Sequence, residues 1–411
     1  MTGNSSKALS AAGLRRLREV LEAHVESKEI PGLVALIGRG DETHVEAIGT
    51  MRHDGGPPMR RDTIFRMAST TRPVAVAATM VLLDECRLRL DDPIDHWLPE
   101  LADRRVLKRP DGLLDDTVPA RLPITVRDLL TSTCGLGLDM TAMGSPMMSA
   151  YFERKVYGEN GWMLPAVEPD EWIRRLGALP LTYQPGERWL YNVSDDVLGV
   201  LVARVTGQSF EAFLRERIFD PLGMTDTGFH MPADKLDRPP PLYAPDPQTG
   251  QFTVEDPAEG GHHSRPPAFQ SGGGLDSTVD DYHAYFRMLL NHGMHGTERI
   301  LFRPAVEMMT TNRLTPEQQA ALQAWARSVV HLSHGQGQTG GWSFGMTVRT
   351  YRGDCAPIGQ FGWDSGAGTT TYADPRNQLV GILLTQTGMS NPDSARAMQD
   401  FWTTFYQAID D

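Results

Sequence analysis

The chain has 411 residues, of which 40% are hydrophobic and 22% are charged, and its formal net charge is −13. A chain of this length and composition can bury the large core of an ordinary globular protein. The negative charge argues against nucleic acid or an anionic membrane as a partner, because both bind basic surfaces.

The N-terminal segment lacks the apolar run of a signal peptide, because arginines interrupt it at positions 15, 16 and 18. No stretch of the sequence has enough consecutive apolar residues to span a bilayer. The three cysteines are odd in number and far apart, at Cys86, Cys134 and Cys355. This pattern favours reduced thiols over disulfides, and we expect a cytoplasmic protein.

The N-terminal part predicts a helix, a β-hairpin and a second helix. Apolar residues recur at helical spacing over residues 10–27, which predicts an amphipathic helix. Two apolar runs, residues 33–38 and 44–49, flank a polar turn, as in a hairpin. Small and apolar residues then dominate residues 69–85, which predicts a buried helix.

The middle of the chain changes in character. Residues 125–135 predict a short helix followed by a turn. Residues 136–185 are rich in Met, Gly, Pro and aromatic residues, a composition that favours an adaptable apolar wall over regular structure. Helices are predicted over residues 195–206 and 209–219, and the proline-rich residues 231–268 predict a long loop.

The C-terminal part predicts strands between two helices. One helix is expected over residues 280–291 and the last one over residues 392–406. Four strands are expected between them, at residues 342–350, 357–361, 368–373 and 378–385. The short connections between these strands indicate an antiparallel sheet.

Together the elements predict an α+β fold: an antiparallel sheet flanked by the N- and C-terminal helices, with an inserted, mainly helical domain. We expect residues 1–411 to form a single unit. Within it, residues 10–65 and 270–411 are predicted to form a sheet subdomain. Residues 66–269 are predicted to form a helical subdomain with loops that shape a pocket.

Three short segments carry candidate chemistry. In FRMASTTRP, Ser69 opens a helix whose free N–H groups suit a developing oxyanion, and Arg72 lies one turn further on the same side. In PGERWLYNVS, Tyr191 precedes a helix. GWDSGAGT is a glycine-dense turn, where backbone can approach a ligand closely. Taken singly, each segment is equally well explained as a helix N-cap, a core tyrosine or a hairpin turn.

In this order, the three segments resemble the motifs of the serine β-lactamase and penicillin-binding-protein superfamily: Ser-x-x-Lys, Tyr-x-Asn (or Ser-x-Asn) and Lys-Thr-Gly. The resemblance extends from Ala11 to Tyr406. It includes LRLDDP at residues 88–93, ITVRDLLTSTCGL at 124–136 and QSGGGLDSTVDD at 270–281. The chain is most similar to the class C β-lactamase-like esterases, also called family VIII carboxylesterases.

The resemblance implies acyl transfer to a serine. Ser69 would attack a carbonyl carbon and form an acyl-enzyme, with Tyr191 as the general base and later the acid for the leaving group. The backbone N–H groups of Ser69 and Gly366 would form the oxyanion hole. No metal or cofactor is implied, and the adjacent His262 and His263 are expected in a loop rather than at a metal.

Arg72 stands where the family has a lysine. A buried lysine can lose its proton and act as a base, whereas an arginine effectively cannot. Arg72 still supplies a fixed positive charge, which favours the phenolate form of a nearby tyrosine. We therefore hypothesise that Tyr191 alone is the base. The alternative is a catalytically impaired protein with a binding or regulatory role.

The other two motifs also depart from the family. Trp363, Asp364 and Ser365 replace Lys-Thr-Gly as candidate substrate-binding residues, and Asp364 is expected to repel a substrate carboxylate. Position 193 is Val, so an amide donor to the substrate is missing unless Asn192 turns inward. Neutral esters, amides or thioesters therefore fit the site better than penicillins or cell-wall peptides.

The methionine-rich residues 138–163 predict either core or a hydrophobic pocket, with Met140, Met143 and Trp162 as the substrate-binding candidates. We expect a serine hydrolase that acts on neutral, apolar carboxylic esters, so that its partner is a small-molecule ester or acyl compound. An acyltransferase that acts on a specialised metabolite would use the same nucleophile and is the alternative within this chemistry.

Overall fold

A seven-stranded antiparallel sheet lies at the centre of the computed structural model, which describes residues 8–158, 167–246, 249, 251–270, 272–328, 340–389 and 395–409. In chain order the strands are β1 (Gly32–Arg39), β2 (Glu42–Gly49), β3 (Phe65–Arg66), β4 (Arg105–Leu107), β5 (Thr117–Pro119), β6 (Leu242–Pro245), β7 (Phe252–Asp256), β8 (Asp276–Ser277), β9 (Met294–His295), β10 (Glu298–Arg299), β11 (Gly340–Trp342), β12 (Thr347–Arg349), β13 (Phe361–Asp364), β14 (Thr369–Asp374) and β15 (Leu379–Thr385). The sheet order is β11-β12-β13-β14-β15-β1-β2. The other described strands form four separate pairs: β3–β8, β4–β5, β6–β7 and β9–β10.

Helices cover both faces of the sheet and fill the long connection between β2 and β11. The described α-helices are α1 (Ala11–Glu26), α2 (Arg72–Asp84), α3 (Val126–Leu130), α4 (Pro146–Glu153), α5 (Pro169–Gly177), α6 (Val193–Thr206), α7 (Phe210–Leu214), α8 (Asp220–Leu222), α9 (Val279–Leu290), α10 (Arg303–Met309), α11 (Pro316–Ser328) and α12 (Arg396–Gln407). A 3₁₀ turn, Ala68–Thr71, precedes α2 directly.

Strand β1 is buried along its whole length, and its side chains alternate between two cores. Leu33, Ala35 and Ile37 pack with residues of α1 and α12 on one face, whereas Val34 and Leu36 join the larger core on the other. Helix α9 packs on that second face. A strand buried on both faces needs an almost continuous apolar sequence, which β1 has. The predicted α+β fold with terminal helices over the sheet is confirmed.

Helices α2 and α6 form the centre of the inserted region. Both are buried along most of their length and pack against each other, as helices that are apolar on every side do. Ser69 lies in the turn that leads into α2, and Tyr191 lies shortly before the start of α6. This helix pair therefore places the two candidate catalytic side chains. The predicted subdomain boundaries near residues 65 and 270 stay predictions.

Among the described helices, none has by itself the length and hydropathy to cross a bilayer. Only α6 taken together with Phe210–Leu222 has them, as two pieces bent by 81°. Helix α6 is buried within the protein core. The cytoplasmic location stays a prediction.

The sequence did not predict the four helices α4, α5, α10 and α11. Each has a proline in its first turn, at Pro146, Pro169, Pro304 and Pro316. The first N–H groups of a helix have no helical partner, so a proline there costs no hydrogen bond and already has a helical φ. These prolines begin helices, although we took the prolines of residues 136–185 as signs of irregular structure.

Two strand predictions and one loop prediction also need correction. Residues 342–350 form two strands, β11 and β12, because the chain turns at Gly345, whose φ is +74°. The strand predicted over residues 357–361 begins only at Phe361 and forms β13. Residues 231–268 contain the hairpin β6–β7 rather than a loop without strands.

A buried group of charged side chains ties this hairpin to β3. Arg66 on β3 donates to Asp256 on β7 (Nε–Oδ2, 2.5 Å) and to the backbone oxygen of Pro240 (2.9 Å). His262 lies between Asp256 (Nδ1–Oδ2, 2.7 Å) and Asp276 (Nε2–Oδ2, 3.4 Å). The group therefore holds the proline-rich segment against the strand that leads into the Ser69 turn.

Burial disfavours protonation of His262, but the charge of Asp276 and the hydrogen bond with Asp256 outweigh it and raise the pKa of His262 from 6.5 to about 9. The ligand-type atoms of Asp256, His262 and His263 lie within 4.8 Å of one another, as in some metal sites. All three side chains already contact the guanidinium of Arg66. The arrangement is an ion-pair network around Arg66.

Replacing His262 with Gln is expected to change how stability depends on pH. Because the folded-state pKa is raised, protonated His262 stabilises the fold fully below about pH 6.5 and ceases to do so as the pH rises through about 9. His262→Gln should therefore lower Tm by about 2–4 °C at pH 6 to 7, with the difference vanishing above pH 9 in thermal melts. His295→Gln is the control and should follow the wild type. A constant difference at every pH would contradict the prediction.

Candidate active site

Ser69 lies on a strained turn between β3 and α2. It occupies the 3₁₀ turn Ala68–Thr71, whereas the sequence predicts that Ser69 opens the α-helix. Ala68 has a φ of +41°, in a region that residues with a side chain rarely adopt. Met67 secures the turn, because its N–H donates to Leu275 (2.8 Å) and its oxygen accepts from Thr369 (3.4 Å).

The Ser69 side chain is half-buried, and its hydroxyl makes no hydrogen bond with any side chain in the described part of the chain. Its carbonyl oxygen accepts the backbone N–H of Arg72. This i to i+3 contact places the arginine directly above the serine on the same side of the turn. The hydroxyl is therefore available to a substrate next to a cation.

Arg72 is 2% exposed and uses each nitrogen of its guanidinium on a different partner. Nε donates to the Tyr191 hydroxyl oxygen (3.2 Å), and Nη1 donates to Asp195 Oδ2 (2.7 Å). Nη2 donates to Asn192 Oδ1. The guanidinium carbon also lies 4.4 Å from the centre of the Tyr191 ring. Arg72 thus joins the Ser69 turn to the segment that begins α6.

The charge on Arg72 is permanent. Burial alone would lower its pKa, but the nearby oxygens of Tyr191 and Asp195 outweigh burial and raise the pKa of Arg72 above its ordinary value. An arginine in this setting cannot give up a proton. The base role that a lysine can have at this position is therefore closed to Arg72.

The Tyr191 hydroxyl oxygen receives two hydrogen bonds, from Arg72 Nε (3.2 Å) and from Trp363 Nε1 (2.9 Å). Donors on a phenol oxygen stabilise its negative charge. The backbone of Tyr191 is fixed because its oxygen accepts the N–H of Leu138 (2.7 Å). The two donors use two of the acceptor directions of this oxygen and leave one for a proton.

Three tryptophans contact Tyr191, and a fourth packs against two of them. The ring centres of Trp325, Trp363 and Trp189 lie 4.9, 5.8 and 5.9 Å from that of Tyr191. Trp342 contacts both Trp189 and Trp363. Trp189 and Trp363 lie within the second and third motifs, whereas no local motif marks Trp325 and Trp342, which α11 and β11 supply from distant parts of the sequence. The cluster keeps the surroundings of the phenol apolar.

The third motif forms a turn next to Ser69. Strands β13 and β14 pack against the Ser69 turn. Between them, the Gly366 N–H donates no hydrogen bond within the described residues, and a Cβ at this position would meet nothing within 4 Å. Bare backbone beside open space suits an oxyanion. The oxyanion hole formed by Ser69 and Gly366 stays a prediction that this geometry favours.

Asp364 and Ser365 do not face the substrate side. Successive side chains of a strand point to opposite faces, so Trp363 points to Tyr191 and Asp364 points away. Asp364 is 3% exposed and accepts from Thr370 (2.6 Å) and Tyr372 (3.1 Å). The Ser365 hydroxyl is buried and accepts the Ala367 N–H (3.0 Å). Both side chains therefore have partners within the sheet and its turn, and their assignment to substrate binding, with the repulsion expected from Asp364, stays a prediction.

Trp363 is 3% exposed and donates to Tyr191, so it supports the phenol rather than lining open space. Asn192 does turn inward, but its side chain binds Arg72. In the methionine-rich segment, Met143 is 42% exposed and Met140 begins a 3₁₀ turn. Trp162 lies outside the described residues, so the acyl pocket stays a prediction.

The chain is similar to known proteins over most of its length. The beta-lactamase family model matches residues 17–400. Protein Rv1367c of Mycobacterium tuberculosis is 38% identical over 90% of this chain and 88% of its own length. The esterase EstB of Burkholderia gladioli is 30% identical over 94% of both chains. The acyltransferase calJ of Penicillium decumbens is 25% identical over 85% of this chain and 83% of its own.

Solved structures share the fold at low sequence identity. EstCE1, described as a hydrolase with promiscuous acyltransferase activity, has a TM-score of 0.78 at 23% identity over 96% of this chain and 98% of its own. Unliganded simvastatin synthase LovD of Aspergillus terreus has a TM-score of 0.78 at 22% identity over 97% and 98%. The chain therefore belongs to the beta-lactamase family. Within it, the chain is a serine ester hydrolase or acyltransferase, as predicted.

Replacing Trp363 with Phe removes one of the two donors to Tyr191 and keeps an aromatic ring. A hydrogen bond to a charged oxygen contributes about 1.5–3 kcal/mol, so kcat/KM for p-nitrophenyl butyrate should fall about 10- to 100-fold. Trp342→Phe is the matched control, because Trp342 is fully buried and its indole N–H has no partner among the described residues. Equal losses in both variants would show that packing, not the hydrogen bond, matters.

Proposed function

We propose that this protein is a serine hydrolase that acts on neutral, apolar carboxylic esters through an acyl-enzyme on Ser69. The observation that carries the proposal is the pair of donors, Arg72 Nε and Trp363 Nε1, on the single hydroxyl oxygen of Tyr191. A general base needs an oxygen that can accept the proton of Ser69, and two N–H donors on that oxygen stabilise negative charge there. Arg72 then supports the base and does not replace it, which argues against an impaired protein.

In the acylation step, the Tyr191 oxygen accepts the Ser69 proton while Ser69 Oγ bonds to the ester carbonyl carbon. The carbonyl oxygen becomes negative, and the N–H groups of Ser69 and Gly366 stabilise it. When the bond to the alcohol oxygen breaks, Tyr191 returns the proton to that oxygen. Water then attacks the acyl carbon, its proton passes to Tyr191, and Ser69 takes the proton back as the acid leaves.

The preference for neutral esters follows from what the third motif supplies. A cation at this place could pair with a substrate carboxylate, but here Trp363 donates its N–H to Tyr191 and Asp364 bonds within the sheet. The charge of Arg72 is already engaged by Asp195. An anionic substrate would lose its hydration without gaining a partner from these residues.

Acyl transfer to an alcohol is the second candidate, favoured by the similarity to acyltransferase calJ over most of both chains. The two candidates share every step up to the acyl-enzyme and differ only in whether water or an alcohol attacks it. Product analysis with and without an added alcohol separates them. Butyric acid as the main product indicates hydrolysis, and a new butyrate ester indicates transfer.

The acyl-enzyme is tested with p-nitrophenyl butyrate, by rapid mixing and by intact-mass spectrometry. The wild type should release a burst of p-nitrophenol and gain the mass of one butyryl group, whereas Ser69→Ala should do neither. Ser149→Ala, which alters an exposed serine on α4, is the control and should behave as the wild type. A wild type without adduct or turnover would instead favour the non-catalytic binding role.

The substrate class is tested with two esters of the same length. The mono-p-nitrophenyl ester of glutaric acid carries a carboxylate, and its methyl ester is neutral. We expect kcat/KM to be about 10-fold lower, or more, for the anionic ester, because its charge must be desolvated without compensation. Equal kcat/KM values for the two esters would refute the proposed preference.

A further inference from the structure

Asp195 is a buried acid that the reaction itself does not use. It lies in the first turn of α6 and is 1% exposed. A Cβ at Gly272 would lie 2.5 Å from the Cβ of Asp195, so the backbone at position 272 closes over this residue. Its carboxylate pairs with Arg72 Nη1 at 2.7 Å. Such a charge is tolerated in a core only when a partner compensates it.

The two terminal nitrogens of Arg72 determine where its third nitrogen points. A guanidinium is planar and rigid, so fixing Nη1 on Asp195 and Nη2 on Asn192 also fixes the direction of Nε. Nε is the nitrogen that donates to Tyr191. The orientation of the donor to the phenol oxygen therefore depends on two residues that lie behind it.

The backbone at Asn192 supports the same arrangement. Its φ of +90° and ψ of −72° are unfavourable for a residue with a side chain. This conformation brings both its side-chain oxygen and its backbone oxygen towards Arg72. The strained residue directly follows Tyr191, so the contact with Arg72 also bears on the position of the phenol.

A lysine cannot make this set of contacts. Its single ammonium on a flexible stem cannot hold Asp195, Asn192 and Tyr191 in one fixed geometry. In a buried site, the carboxylate of Asp195 would attract the ammonium and draw it away from Asn192 and Tyr191. The presence of Asp195 thus matches an arginine at position 72 and disfavours a lysine.

We infer that Asp195 is a positioning residue for the proposed acylation, which acts through Arg72 on Tyr191, and that Asp195 and Arg72 form a matched pair in place of the single lysine of the family motif. This inference rests on the acyl-enzyme function proposed above. According to this inference, the site requires an arginine at position 72 and is not impaired by the replacement of the family's lysine. It also predicts that restoring the lysine alone does not restore a better enzyme.

The test is a double-mutant cycle of Asp195→Asn and Arg72→Lys, with the burst of p-nitrophenol giving the acylation rate. Each single variant should acylate about 10- to 100-fold more slowly, as expected for a misplaced donor. KM should change less than about 3-fold, because the substrate does not contact Asp195. The double variant should acylate at least as fast as Arg72→Lys, because the lysine is no longer drawn to a carboxylate.

Asp281→Asn is the matched control. Asp281 is also a buried acid in the first turn of a helix, α9, but it bonds to Thr227 away from the site. This variant should lose thermal stability and keep the wild-type acylation rate. Loss of stability alone therefore does not imitate a positioning effect.

Three results would overturn the inference. They are an Asp195→Asn variant that acylates as fast as the wild type, losses that simply multiply in the double variant, or an Arg72→Lys variant with full activity. A fully active Arg72→Lys variant would overturn the inference even if Asp195→Asn fails to fold. A wild type that forms no adduct would overturn the proposed function as well, whereas the three results above would leave that function standing.

Discussion

A positive charge that is almost completely buried, on Arg72, is the constraint on which the site depends. A guanidinium removed from water is stable only where acceptors replace its hydration, and Asp195, Asn192 and Tyr191 supply them. Those acceptors lie at the start of α6, while Arg72 and Ser69 lie at the start of α2. The packing of α2 against α6 therefore also determines the geometry of the site.

The backbone is strained in both segments that adjoin the charge of Arg72. Ala68, before the serine, and Asn192, after the tyrosine, both have positive φ values although they are not glycines. Residues in such conformations persist only where surrounding contacts determine them, and they concentrate at functional sites. Here the contacts are Met67 with β14 and Leu275 on one side, and Arg72 on the other.

The sequence was sufficient for features that depend on neighbours along the chain. The spacing of Ser69 and Arg72 within one turn is local, and so is the place of Tyr191 before a helix. Alternation along a strand shows that neighbouring side chains face opposite ways but not which face holds the site, so the sequence did not predict that Asp364 bonds within the sheet. Asp195 was missed because its burial comes from residues as distant as Gly272.

The aromatic cluster makes the intrinsic fluorescence of the protein sensitive to changes at the site. Of the eight tryptophans in the chain, four belong to this cluster: Trp189, Trp325 and Trp363 contact Tyr191, and Trp342 packs against two of them. The emission of an indole changes when charge or hydration changes a few ångströms away. The acylation proposed for Ser69 should thus alter the intrinsic fluorescence of the protein. Natural esters, which release no coloured product, can then be screened directly by this signal.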